Sequence, residues 1–341
     1  MPAINRYKIH SCIPFRELIV LSLLLTLYMF PSVMLAQVRR VAVIGSSTAR
    51  GVGASVPDSS WVRQLSKAYK CQLDIVDTIY NLASSGTTFY HGMPTETTPP
   101  PNRPAPLPSN NVSRAIQLLS SLPNRSNGLI IVNYPTGGYD TYSIAEIMNG
   151  LQTIFDTARQ AAFRCLISTT QPRNDAAFNT PSIRKKLADI KDSILLRFGP
   201  NNTVNFYEGL FNTTDSSIRA DLSAGDNIHL NNAGHRLLCD RVLASNPFDF
   251  PVWYSKPEGF LNAENTWGCQ PDGSGSCPAG FTGDNQTFII TNNPTPTVNA
   301  HWILEGKNTR VILGKEGENI NFTIPENLQV IFRNTTVSGC P

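Results

Sequence analysis

From residue 39 to about 247, short runs of apolar, mostly β-branched residues alternate with longer segments whose apolar positions recur every three or four residues. The runs predict strands at 40–44, 73–80, 128–134, 165–169 and 203–207. The periodic segments predict helices at 61–69, 112–122, 144–161, 182–198 and 232–243, the first capped by Asp58 or Ser59. Five strands alternating with helices imply a parallel sheet with helices on both faces. The stretch 99–108 is too rich in proline for sheet or helix and belongs on the surface. After Pro247 the helical period disappears, and short β-rich runs remain at 287–291, 301–304, 310–313 and 321–324. Their turn signals suit a sandwich or a β-solenoid. A linker is expected at 246–257, which holds three prolines and the aromatics Phe248, Phe250, Trp253 and Tyr254. Trp267 and Trp302 are expected in the core of this part, in preference to a carbohydrate-binding platform.

The first 36 residues stand apart from this pattern. Arg6, Lys8 and Arg16 precede an apolar run from Ile19 to Phe30, and a small residue, Ala36, follows. That is the layout of a signal peptide cleaved after about Ala36, and the apolar run is short for a full span. The expected location is secreted, periplasmic or cell-surface, with no membrane span once the leader is gone; an uncleaved anchor is the alternative. The expected division is 1–36 leader, 37–247 α/β domain and 248–341 β-rich accessory domain. Without the leader, 25 Lys and Arg stand against 24 Asp and Glu, so no charge argument points to nucleic acid as a partner. Of the seven cysteines, Cys269 and Cys277 flank a turn-rich loop that a disulfide would close in an exported protein. No second Cys or His pair has ligand spacing, so neither metal nor cofactor is expected.

The strand at 40–44 runs into Gly45-Ser46-Ser47-Thr48-Ala49, placing a serine at the carboxyl edge of the sheet, where ligands of open α/β sheets bind. A serine hydroxyl needs a base to act as a nucleophile at neutral pH. Among the five histidines, His10 falls in the leader, His91 in the long loop, His235 inside the last helix and His301 in the β-rich part. His229 is left as the base, and Asp226, three residues earlier, is placed to orient its ring.

These residues carry a family resemblance. Gly45-Ser46-Ser47-Thr48-Ala49, Asn81 with Ser85-Gly86, Tyr134-Pro135-Thr136, and Gly225-Asp226-Asn227-Ile228-His229-Leu230-Asn231 with Gly234-His235 occur in the order of the SGNH (GDSL-like) hydrolases. The resemblance spans about residues 39 to 245 and implies a flavodoxin-like three-layer α/β/α fold with a five-stranded parallel sheet, followed here by a small all-β domain. It implies Ser47 as nucleophile, His229 as base, Asp226 as orienter, and the backbone N–H groups of Ser47 and Gly86 as oxyanion donors. The family's third block supplies an asparagine as a further oxyanion donor, and Gly137 stands in its place. Thr136, Asn133 or an amide of Gly137-Gly138 are the substitutes at hand, and Gly137→Asn is expected to raise kcat. Arg173, after the fourth strand, is a candidate contact for substrate oxygens. The segments Asn265-Thr266-Trp267-Gly268, Phe288-Ile289-Ile290 and Asn319-Ile320-Asn321-Phe322-Thr323-Ile324-Pro325 are similar to β-rich modules of exported proteins from Bacteroidetes-like bacteria. The chain stops soon after them, so the module is expected to be short or cut.

The resemblance implies hydrolysis of esters, with an acylated (foremost O-acetylated) carbohydrate or a small ester as substrate. Two other readings stand beside it. One is a surface carbohydrate-binding protein on a degenerate fold, motivated by Gly137. The other is a general carboxylesterase or lipase, which would need an apolar acyl pocket.

Overall fold

A computed structural model describes residues 39–72, 76–248, 252–283, 286–314, 320 and 322–339; the expected leader lies outside the described residues. The elements of the first part are β1 (Arg40–Gly45), α1 (Ser47–Arg50), α2 (Trp61–Lys67), β2 (Thr78–Asn81), α3 (Phe89–Gly92), α4 (Val112–Leu119), β3 (Gly128–Asn133), α5 (Ile144–Gln160), β4 (Arg164–Ser168), α6 (Pro181–Phe198), β5 (Thr203–Val204) and α7 (Asn232–Ala244). The five strands pair in parallel in the order β2-β1-β3-β4-β5.

The two-residue period of a strand explains the layers. Ala42, Ile44, Ile130, Val132 and Ile167 face one core, shared with Leu119 of α4, Leu151 and Ile154 of α5, and Leu187 and Ile190 of α6. Val41, Val43, Leu129, Ile131 and Leu166 face the other, shared with Trp61 and Leu65 of α2 and with Leu238 and Val242 of α7. Strands covered on both faces read as unbroken apolar runs, which is why β1 and β3 were legible. From β1 the chain goes outward to β2, then crosses back to β3 on the other side of β1. The carboxyl ends of β1 and β3 therefore border the crevice where such a sheet changes its direction of winding.

Helix ends are fixed by short polar side chains. Ser143 and Glu146 form a reciprocal box at the start of α5, and Asn231 Oδ1 accepts the Gly234 N–H at the start of α7. At α2 the N-cap position falls on Ser60, whose side chain donates to Pro57 O and caps no helix N–H, because Pro57–Ser59 form a separate 3₁₀ turn in place of the expected Asp58 or Ser59 cap. The strand expected at 73–80 is extended only at Thr78–Asn81, with 73–75 outside the described residues.

After residue 247 a second sheet has the order β10-β9-β8-β6-β7, built from β6 (Val252–Ser255), β7 (Trp267–Gly268), β8 (Thr287–Ile290), β9 (Trp302–Leu313) and β10 (Val330–Gly339). Pairing is parallel except between β6 and β7, which is the pattern of a solenoid and not of a sandwich. Its two faces differ. Val252, Tyr254, Ile289 and Ile312 pack into the core that holds α2 and α7. Leu261, Trp267, Phe288, Trp302 and Val311 form a core of their own. Trp267 and Trp302 are fully buried, their ring centroids 5.8 Å apart, so neither is a binding platform.

Several expectations for this part need correction. Residues 252–255, expected as linker, are β6, whose Val252, Trp253 and Tyr254 pair in parallel with Thr287, Phe288 and Ile289 of β8. The runs at 301–304 and 310–313 are one strand, since the chain continues extended through Gly306, where the Gly283 carbonyl occupies the space of a Cβ. At 321–324 only Thr323 pairs, as an isolated bridge to Thr297, and residue 321 is not described. The expected Cys269–Cys277 disulfide is absent: both are free thiols. The loop is closed by main-chain bonds instead, from Cys269 N–H to Ser276 O at 3.1 Å and from Gln270 N–H to Ser274 O at 3.0 Å.

Candidate active site

Five loops meet at the carboxyl edge of the first sheet. In the first, Ser46 is extended and buried, its N–H donating to Asn133 O at 3.0 Å, and Ser47 opens α1 half-buried. The second folds over the end of β1: Leu82 N–H donates to Val43 O (2.8 Å), Ser84 N–H to Gly45 O (3.0 Å) and Asn81 Nδ2 to Ala49 O (2.9 Å). At its apex Gly86 is exposed with φ +76°, its N–H engaged by no group among the described residues. The Ser47 N–H is likewise unengaged among them, as befits the first residue of a helix.

The histidine turn is held from within. Asp226 Oδ1 accepts the N–H groups of Ile228 (2.9 Å) and His229 (2.8 Å), while Oδ2 lies 2.5 Å from His229 Nδ1. Gly225 and Asn227 take left-handed conformations, φ +97° and +61°, so the chain doubles back tightly enough for one carboxylate to make all three contacts. Partial burial of that carboxylate opposes ionisation, but the backbone N–H and ring of His229 and the N–H of Ile228 outweigh it and pull its pKa down to about 2. An anion facing Nδ1 fixes a proton there and leaves Nε2 to accept one.

Gly53 brings this turn to the serine loop. A Cβ there would stand 2.3 Å from the Leu230 carbonyl oxygen and 3.0 Å from His229 Cβ, so the backbone of 53 passes against the turn as only glycine can. Asp226 and His229 are thus in direct contact, and His229 sits beside the loop that follows Ser47. Ser47 Oγ makes no hydrogen bond to His229 or to another group among the described residues.

His235 is a structural histidine. It is fully buried, with Trp61 N–H donating to Nδ1 at 3.4 Å and Nε2 lying 3.2 Å from Val52 O. A ring nitrogen that accepts from a backbone N–H carries no proton, so Nε2 is the donor to Val52. Burial, together with the nearby His229, lowers its pKa, although the Val52 bond works the other way.

Gly137 lies in the third loop, where Tyr139 Oη donates to Tyr134 O at 2.6 Å. A Cβ at Gly137 would stand 2.6 Å from the Thr87 carbonyl oxygen, a backbone atom. The loop carrying Gly86 therefore leans on the third loop, and an asparagine at 137 would push the two apart. This contact opposes the gain expected from Gly137→Asn. Asn133 is no substitute donor: it is fully buried and its Nδ2 is spent on Ser168 Oγ at 2.7 Å.

Arg173, in the fourth loop, binds both oxygens of Asp175 at 2.6 and 2.7 Å, stacks 4.6 Å from the Phe178 ring centroid and reaches Thr136 Oγ1 at 3.1 Å. Burial favours the neutral Asp175 carboxyl, but the Arg173 guanidinium and the backbone N–H groups at Ala177 and Asp175 together outweigh it and hold its pKa below the usual range. Sequence reasoning passed over Gln171 and Thr48, whose buried side chains hydrogen-bond to each other at 2.9 Å. Nothing in their spacing marks a bond between residues so far apart along the chain. No group of metal-ligand geometry occurs among the described residues. No helix among them is long and apolar enough to cross a membrane.

The chain is similar to several solved esterase and lipase structures at low identity. One is a member of the lipolytic G-D-S-L family from Veillonella parvula, with 13% identity over 60% of this chain and 96% of that one and a TM-score of 0.44. Another is a GDSL-like lipase from Bacteroides thetaiotaomicron, with 14% identity over 60% of this chain and 85% of that one and a TM-score of 0.40. A third is a two-domain esterase active on acetylated mannans, with 16% identity over 61% of this chain, 49% of that one and a TM-score of 0.38. No family model matches the chain, and no curated protein matches it.

Proposed function

We propose that the chain is an exported serine esterase that removes O-acyl groups, O-acetyl foremost, from carbohydrate or small esters. Ser47 Oγ attacks the acyl carbon while His229 Nε2 takes its proton. The tetrahedral oxyanion rests on the N–H groups of Ser47 and Gly86. Collapse expels the alcohol, which takes the proton back from His229, and water repeats the sequence to release the acid and free Ser47.

The observation that carries this reading is the Asp226 carboxylate 2.5 Å from His229 Nδ1, on a turn packed against the loop that follows Ser47. The basic and apolar leader supports export. Arg173, held by Asp175 and Phe178 beside Thr136, is the cation proposed to face acyl or sugar oxygens.

Gly137 favours a second reading, a glycan-binding protein without turnover, since two backbone donors must hold the oxyanion without a side chain. Loss of one such donor costs about 10²–10³ in rate. Purified protein assayed on an activated acetyl ester and on acetylated glycans separates the two. Turnover that disappears in Ser47→Ala supports the esterase. Glycan binding with no turnover on any of these substrates supports the second reading and overturns the first. A panel of acyl chain lengths tests the preference for acetyl, which a rising rate with longer chains would overturn in favour of a lipase.

A further inference from the structure

Gln171 is 1% exposed, so it cannot touch a substrate, yet it joins the two halves of the candidate site. Its Nε2 donates to the Ile228 carbonyl at 3.0 Å and its Oε1 accepts from Thr48 Oγ1 at 2.9 Å. A carbonyl can only accept, so the amide nitrogen must face Ile228, and the oxygen is left for the Thr48 hydroxyl. The partners themselves fix which way the amide points. Thr48 follows Ser47 on α1, and Ile228 precedes His229.

The histidine turn needs such an anchor. Its internal bonds to Asp226 fix its shape but not its distance from β1, and although Leu230 is buried at its far end, the Asp226 side chain is 47% exposed. The fourth loop supplies the anchoring bonds, from Gln171 to Ile228 O and from the Asn174 N–H to Asn227 O at 3.0 Å. Of these two, only Gln171 also grips α1.

We propose that Gln171 is a positioning residue that sets the reach from Ser47 Oγ to the His229 ring by tying α1 to the Asp226–His229 turn. The inference rests on the esterase reading. Misplacing reacting groups by about 1 Å costs up to about 10²-fold in rate, which is the scale of effect expected here.

The test uses Gln171→Met, which keeps volume and removes both hydrogen bonds, Thr48→Val, their combination, and Thr48→Ser, which keeps the hydroxyl. Steady-state kinetics on an activated acetyl ester are read beside Tm and amide exchange in the full chain. Gln171→Met should lower kcat about 10–100-fold with KM within about threefold. The double variant should be little worse than Gln171→Met alone, because one linkage is broken only once. Thr48→Ser should recover most of what Thr48→Val loses. Exchange at the Ile228 and His229 amides should quicken at least about tenfold in Gln171→Met while β1 and β3 amides stay protected. A lowered Tm with kcat per folded molecule unchanged, or unaltered exchange at Ile228 and His229, overturns the proposal. If the wild type shows no Ser47-dependent turnover, the esterase reading fails on its own. The exchange measurement then still decides, and an unaltered turn would sink the role of Gln171.

Discussion

The carbonyl oxygen of Thr87 occupies the space that a side chain at Gly137 would need, 2.6 Å from where its Cβ would lie. The absence of an asparagine there is a packing requirement of this chain. Gly137→Asn should therefore give no rise in kcat and a lower Tm, at a cost of about 1–3 kcal/mol for forcing backbone apart. Thermal unfolding and steady-state kinetics on the same preparation check it. A kcat gain of tenfold or more would mean that the two loops yield.

The nucleophile assignment separates two adjacent serines. Ser47→Ala should lose at least about 10³-fold in turnover of an activated acetyl ester. Ser46→Ala should keep most of it, since Ser46 is extended, buried and ahead of the helix. A phosphonate probe should label the wild type and Ser46→Ala but not Ser47→Ala, with mass spectrometry locating the adduct. Equal losses in both variants would take Ser47 out of the mechanism.

Asp226→Asn keeps the shape of the turn and replaces an anion opposite His229 Nδ1 with a neutral amide. It should lower kcat by about 10²–10⁴-fold with little change in KM. His229→Ala should abolish turnover. His235→Ala should act mainly on stability, because its ring is fully buried between Val52 O and Trp61 N–H. Turnover that survives His229→Ala but not His235→Ala would reverse the assignment.

The same carboxylate gives a pH signature with a definite sign. Its pKa is about 2 in the folded chain against 3.8 ordinarily. A depressed carboxyl contributes stability that is full above about pH 4 and is lost as pH falls through about 2. The Tm gap between wild type and Asp226→Asn should thus be largest near neutral pH and close on acidification. It should be modest, because nearly half the carboxylate is in water and solvent screens the interaction. Calorimetry across that range reads it, and a gap that widens toward pH 2 would contradict the depression.

What the sequence made legible follows from how local the signal is. β1 and β3 announce themselves because both faces are covered, so Val41–Ile44 and Leu129–Val132 are unbroken apolar runs. Asp226 and His229 were readable because their contact spans three residues, and few other histidines compete. β6 was lost among prolines, and β10, despite its Val330-Ile331-Phe332 start, is defined only by parallel pairing to β9. Gly137 against Thr87 and Gln171 against Ile228 are contacts across 50 or more residues, and no period or spacing encodes them. The loop between Cys269 and Cys277 misled for a related reason. Its turn residues close it through the main chain and leave the thiols idle.

Tyr254, Ile289 and Ile312 complete a core begun by Trp61, Leu238 and Val242. During synthesis, α7 is therefore finished well before its apolar covering exists, since Ile312 lies about 65 residues beyond Pro247. At roughly 5–20 residues per second, that face waits several seconds or more. For that interval the nascent chain exposes a greasy surface that a holdase or a neighbouring nascent chain could capture. Yield should then depend on how fast the last quarter of the chain arrives, and slow codons placed after residue 247 should lower it.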